Sequence, residues 1–125
     1  MADTTMQETF DKVATHLLTQ NKKSGVTIET RFNCMYRGPN GLMCAIGCLI
    51  PDELYDSEMD CGDGMTADTL LETYFPLKQI FRNLPLGFLK DLQALHDFYP
   101  EYKWREQLVE FAAKYKLSVD RLVAL

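Results

Sequence analysis

From residue 38 to residue 77 this chain has no lysine and no arginine. The same stretch holds eight acids, Asp52, Glu53, Asp56, Glu58, Asp60, Asp63, Asp68 and Glu72, while the rest of the chain sets thirteen bases against ten acids. Proteins that track a nucleic-acid backbone need clustered cations. Here the cations are scattered, so direct nucleic-acid binding is not expected. Long apolar runs are also missing. None approaches the roughly 18 residues of a membrane-crossing helix, and no membrane association is expected. The start, Met1-Ala2-Asp3-Thr4-Thr5, lacks the basic and apolar segments of an export signal. The expected location is therefore the cytoplasm, where cysteines persist as thiols. Neither G-x-G-x-x-G nor G-x-x-x-x-G-K-[ST] occurs, so no loop is built to cradle phosphates by motif, and there is no G-x-S-x-G elbow.

What is present suits one small domain of α+β class. The 125 residues are 46% hydrophobic, with seven Phe, six Tyr and one Trp to close a single core. Thr5-Met6-Gln7-Glu8 has capping-box spacing, and Phe10, Val13, Ala14 and Leu17 recur with helical period, which predicts a helix over 6–20. Asn21-Lys22-Lys23-Ser24-Gly25 ends it, with Gly25 available for the left-handed position. The period then drops to 2. Val26, Ile28, Phe32, Cys34 and Tyr36 alternate with polar residues, predicting one buried strand face in a small antiparallel hairpin over about 26–44. Gly38-Pro39-Asn40-Gly41 is the strongest turn signal, with Leu42-Met43-Cys44 as a short return arm. Within the apolar run 44–50, a buried helix is predicted over 45–50. Pro51-Asp52-Glu53 predicts a new helical turn, and 56–64 a surface loop. The C-terminal half predicts helices near 66–75, 77–84 and 86–98, a longer one carrying Trp104, Leu108, Phe111, Ala112 and Tyr115, and a last turn capped by Ser118. Phe10, Leu17, Phe32, Ile46, Leu49, Leu92, Trp104, Leu108 and Phe111 are the expected core.

Four cysteines and two histidines raise the question of zinc. Cys44 and Cys48 are spaced as a ligand pair, and Cys34 and Cys61 complete a possible set. No second close pair exists, however, and Cys44 and Cys48 sit in an apolar run where free thiols are ordinarily core. The favoured expectation is no metal. Thiol catalysis needs an electropositive setting and a histidine partner. The apolar neighbours Ile46, Leu49 and Ile50 and the negative charges near Cys48 argue against it, as do the acids beside Cys61. His96-Asp97 resembles an acid/base or metal pair, but adjacent helical residues diverge by about 100° and do not grip one atom unaided. His16 flanks an apolar helix face. Asp56-x-Glu58-x-Asp60 opens like a calcium loop, yet Cys61 stands where the turn glycine belongs and Ala67 where the bidentate glutamate belongs. Ala45 and Gly47 are small enough to let a neighbouring backbone approach.

The block Cys34-Met35-Tyr36-Arg37-Gly38-Pro39-Asn40-Gly41-Leu42-Met43-Cys44-Ala45-Ile46-Gly47-Cys48-Leu49-Ile50-Pro51-Asp52-Glu53-Leu54-Tyr55 resembles the central signature of a family of small phage and prophage proteins. Phe10-Asp11-Lys12-Val13-Ala14 and His16-Leu17-Leu18 before it are similar too, as are Leu92-Gln93, His96-Asp97 and Trp104 after it. The resemblance implies an origin on a mobile element and expression inside a bacterial host. It carries no catalytic or binding residues with it. Without a convincing catalytic set, the leading expectation is an accessory protein that needs no cofactor. It would bind, and thereby inhibit, a host or phage macromolecule through an acidic surface made of Asp52, Glu53, Asp56, Glu58, Asp60 and Asp63. The alternatives are a small metal- or thiol-dependent enzyme, and a small-molecule-binding protein with its pocket between hairpin and helices.

Overall fold

In the computed structural model, which describes residues 5–60 and 65–125, the chain is α+β. Helix α1 spans Met6–Gln20. Thr5 caps it by accepting the Glu8 N–H at 3.1 Å through its hydroxyl. Asn21, at φ 48°, takes the left-handed position that closes α1. Gly25 was the expected residue there, but it instead opens strand β1, Gly25–Ile28, which pairs antiparallel with β2, Arg31–Cys34.

The register corrects the expected strand face. Val26 lies opposite Asn33 and Thr27 opposite Phe32, so the two-residue turn at Glu29 and Thr30 swaps parity between the strands. Phe32 and Cys34 therefore share a face with Gly25 and Thr27, not with Val26 and Ile28. Ile28 is 57% exposed and Phe32 44%, so Phe32 leaves the predicted core. The hairpin also turns one segment earlier than the strongest turn chemistry suggested. Residues 38–41 form a second, separate turn, flanked by a single bridge between Arg37 and Met43.

Residues 36–60 contain no long element, only short 3₁₀ turns at Pro39–Gly41, Gly47–Leu49, Asp52–Leu54 and Ser57–Asp60. The buried helix expected at 45–50 is thus one 3₁₀ turn. Cys44, Ala45, Ile46 and Ile50 are buried as expected, while Leu49 packs at the core's edge. Gly47 permits a close crossing, for a Cβ there would lie 1.9 Å from the Tyr36 carbonyl oxygen. The predicted surface loop from 56 onward is also less superficial than its composition suggests, because Met59 is fully buried.

The C-terminal half is helical: α2 Ala67–Thr73, α3 Phe75–Ile80, α4 Leu86–Phe98, α5 Trp104–Tyr115 and α6 Asp120–Val123. Phe10 of α1 stacks on Phe111 of α5 at 5.7 Å, and Phe88 of α4 meets Phe111 edge-on at 5.2 Å. This aromatic layer, with Leu17, Leu92, Trp104 and Leu108, is the core that joins the first helix to the last ones. No helix among the described residues is long and apolar enough to cross a membrane.

Candidate functional site

Strand β2 and the residues after it face α4 across a pocket of about 490 Å³, closed on a third side by residues 65–67. That volume lies within the usual range for small-molecule sites, roughly 300–1,000 Å³. Lys90, Gln93, Ala94 and Asp97 line it from α4, and their spacing puts them on one face of that helix. Arg31, Phe32 and Cys34 line it from the strand, and Phe98 stands at its edge with 80% exposure.

The floor is a polar network built around Asp97. Its Oδ1 accepts from His96 Nδ1 at 2.7 Å and from Gln93 Nε2 at 2.9 Å. The Cys34 sulfur lies within 4.8 Å of the same carboxylate. Gln93 turns its carbonyl oxygen inward, to the Ile46 N–H at 3.2 Å and the Cys44 thiol at 3.1 Å. His96 is fully buried and stacks on Trp104. Its Nε2 accepts the Ser24 backbone N–H at 3.0 Å, so Nδ1 carries the ring proton and points it at Asp97. The expectation is that these neighbours do not grip one atom unaided, and the help comes from elsewhere on α4. Asp97 turns to the ring, held there by Gln93 one turn earlier.

Cys34, His96 and Asp97 bring three ligand-type atoms within 4.8 Å of one another. Their hydrogen bonding does not suit a metal. A ligating histidine donates its second ring N–H to an acceptor, whereas His96 uses its second nitrogen to accept one. The cysteine set weighed from sequence is not assembled either. Cys44 and Cys48 give their thiols to Gln93 and to the Ala45 carbonyl, away from the Cys34 cluster, and Cys61 lies outside the described residues.

None of the described thiols is activated. Burial, reinforced by the Asp97 charge, pushes Cys34 up to about 12. Burial also raises Cys48 to about 12, even though the charges nearest it are the cations Lys12 and Arg37, not the negative ones expected. Cys44, fully enclosed, is raised further for the same reason. Such groups remain thiols at neutral pH and are poor nucleophiles.

The acidic segment divides in two. Asp60 faces inward, with Oδ1 accepting the Tyr36 N–H at 2.7 Å and Oδ2 the Arg37 N–H at 3.1 Å and the Tyr55 hydroxyl at 2.5 Å. It is a structural acceptor and leaves the proposed partner surface. Asp52 pairs with Arg37 at 2.8 Å. Glu53, Asp56 and Glu58 are exposed and have no cationic partner among the described residues. Asp63 lies outside the described residues. With Asp60 committed to the backbone, the calcium-loop spacing has lost one of its ligands as well.

Sequence reasoning passed over Gln93 and Lys90 as site residues. Their signal was a polar stripe at 90, 93 and 97, running beside the apolar stripe of α4. No protein-family model, no curated protein and no solved structure matches this chain.

Proposed function

We propose that this chain is a binding protein that takes up a small ligand in the pocket between β2 and α4. One observation carries the reading: Asp97, partly exposed at the floor, has its Oδ1 fixed by two protein donors, His96 and Gln93, and keeps acceptor capacity on Oδ2 for a ligand. A carboxylate held this way meets a ligand without reorganising, which favours affinity. The groups around it bind rather than react, since the nearby thiol is protonated and the histidine has both nitrogens committed. Sequestration of a metabolite or signal molecule is the role that fits such a site. Native mass spectrometry of protein purified from bacterial cytosol tests it. The expected result is a retained small mass that is lost in Asp97→Asn. Identical spectra for both proteins, with no retained mass, would end this reading.

A narrower form of macromolecular binding has its own support, the exposed and unpaired Glu53 and Glu58 on two consecutive 3₁₀ turns with Asp56 between them. These charges suit a basic patch on a host or phage protein inside a bacterial cell, as expected of a phage accessory factor. Reversing all three should abolish a complex that forms at low ionic strength and dissolves in salt. A complex indifferent to both the reversal and the salt would count against it.

A further inference from the structure

Resting on the pocket reading above, we infer that the ligand is a nucleoside phosphate. Three features of the pocket converge on that class. The first is a pair of aromatic side chains at its mouth, Phe32 and Phe98, exposed by 44% and 80%. Exposed aromatics lining one pocket offer stacking surface for a flat ring, as in nucleic-acid binders. Phe32 is positioned for this by Gly25 across the hairpin. A Cβ at Gly25 would fall 2.8 Å from the Phe32 ring, so only glycine leaves the ring its place.

The second feature is Asp97. The donors it lacks are ligand N–H groups, and a heterocycle with ring or exocyclic N–H supplies them next to the stacking surface. The third feature is a pair of cations, Arg31 and Lys90, both exposed, both lining the pocket and neither in an ion pair among the described residues. Arginine and lysine held in no ion pair on either side of a pocket mouth suit a phosphate group, although the Lys90 charge also reaches Asp68. A flat donor-bearing ring and an anionic tail in one molecule describe a nucleotide. An apolar metabolite would leave Asp97 and both cations unused, and a bare anion would leave both aromatic rings unused.

Isothermal titration of the full chain with the four common nucleoside 5′-monophosphates, their nucleosides and inorganic phosphate tests the assignment. At least one monophosphate should bind ten-fold or more tightly than its nucleoside, and inorganic phosphate should not bind detectably. Asp97→Asn should weaken that nucleotide at least ten-fold. The double change Arg31→Ala with Lys90→Ala, at exposed positions that do not threaten folding, should bring nucleotide and nucleoside to equal affinity. If no monophosphate binds at millimolar concentration while native mass spectrometry still finds an Asp97-dependent mass, the nucleotide class is wrong and the pocket reading survives. If neither titration nor mass spectrometry finds a ligand, both fall. Tight binding unchanged by the double substitution would also overturn the assignment, because the phosphate would then be held elsewhere.

Discussion

The helical bundle and the stretch from 36 to 60 solve the same problem by different means. In α1, α4 and α5 the backbone satisfies itself, and side chains are left to pack: Phe10, Phe88 and Phe111 form a layer with no polar atom to place. The central stretch has almost no regular hydrogen bonding, so side chains must do that work. Asp60 takes the N–H groups of Tyr36 and Arg37. Arg37 reaches the carbonyls of Gly47 and Ile50. Gln20 brackets Met43, accepting its N–H and donating to its carbonyl. Among the described residues every buried side-chain nitrogen and oxygen has a partner. The difference teaches where a change in sequence is tolerated. Volume matters in the bundle, and the identity of single polar or small residues matters in the central stretch.

The largest expected effect is at Gly47. Alanine there drives a methyl to 1.9 Å from the Tyr36 carbonyl oxygen, and backbone must move. A loss of about 3 kcal/mol is expected in urea denaturation, at the upper end for overpacking. A loss below about 1 kcal/mol would show that the central stretch deforms easily and would erase the contrast. Next comes Asp60→Ala, which strands two backbone donors and the Tyr55 hydroxyl. It should cost about 2–3 kcal/mol, whereas Glu58→Ala two residues away should change stability by less than about 0.5 kcal/mol. Equal effects at the two positions would mean that Asp60 is only another surface charge.

That pair of acids also marks the limit of what the sequence discloses. Helix α1 and helix α4 are legible to the residue because capping and 3.6-residue periodicity are local signals. The hairpin's existence is legible, but its register is not, since alternation alone does not show where parity flips at a tight turn. Residues 44–50 are apolar in any conformation, so composition gives their burial and not their shape. Asp60 and Glu58 look alike in a row of acids. Only tertiary structure shows that one faces the Tyr36 backbone and the other faces water. The pocket was harder still. Asp97 and Cys34 are sixty-odd residues apart in sequence, and no local pattern marks them as neighbours.

A smaller effect, dependent on pH, is expected where the two regions touch. His16 on α1 donates through Nε2 to the Met43 carbonyl at 2.8 Å. Burial holds its pKa below the ordinary value, with His96 and Lys12 adding to the depression. The unfolded chain therefore binds the proton more readily than the folded one. The contribution of neutral His16 is complete above the ordinary histidine pKa of about 6.5 and is lost as pH falls through the lower folded value. Thermal midpoints of the wild type should drop more steeply than those of His16→Gln between about pH 6.5 and pH 5. Parallel profiles would show that the contact between α1 and residue 43 tolerates a charge.

The smallest effect reverses the sign of the first. Gly87 lies in the first turn of α4, and a Cβ added there meets nothing within 4 Å. With no close packing to disturb, backbone entropy and helix propensity decide the outcome, and both favour alanine. Gly87→Ala should stabilise the protein by about 0.5 kcal/mol, less than the mid-helix value because the first turn frays. The same chemical change then destabilises residue 47 and stabilises residue 87, although both are glycines beside apolar sequence. Denaturation midpoints of the two variants, measured side by side, should fall on opposite sides of the wild type. If Gly87→Ala is destabilising instead, the start of α4 is held by packing rather than by its own backbone, and the bundle is less forgiving than its hydrogen bonding implies.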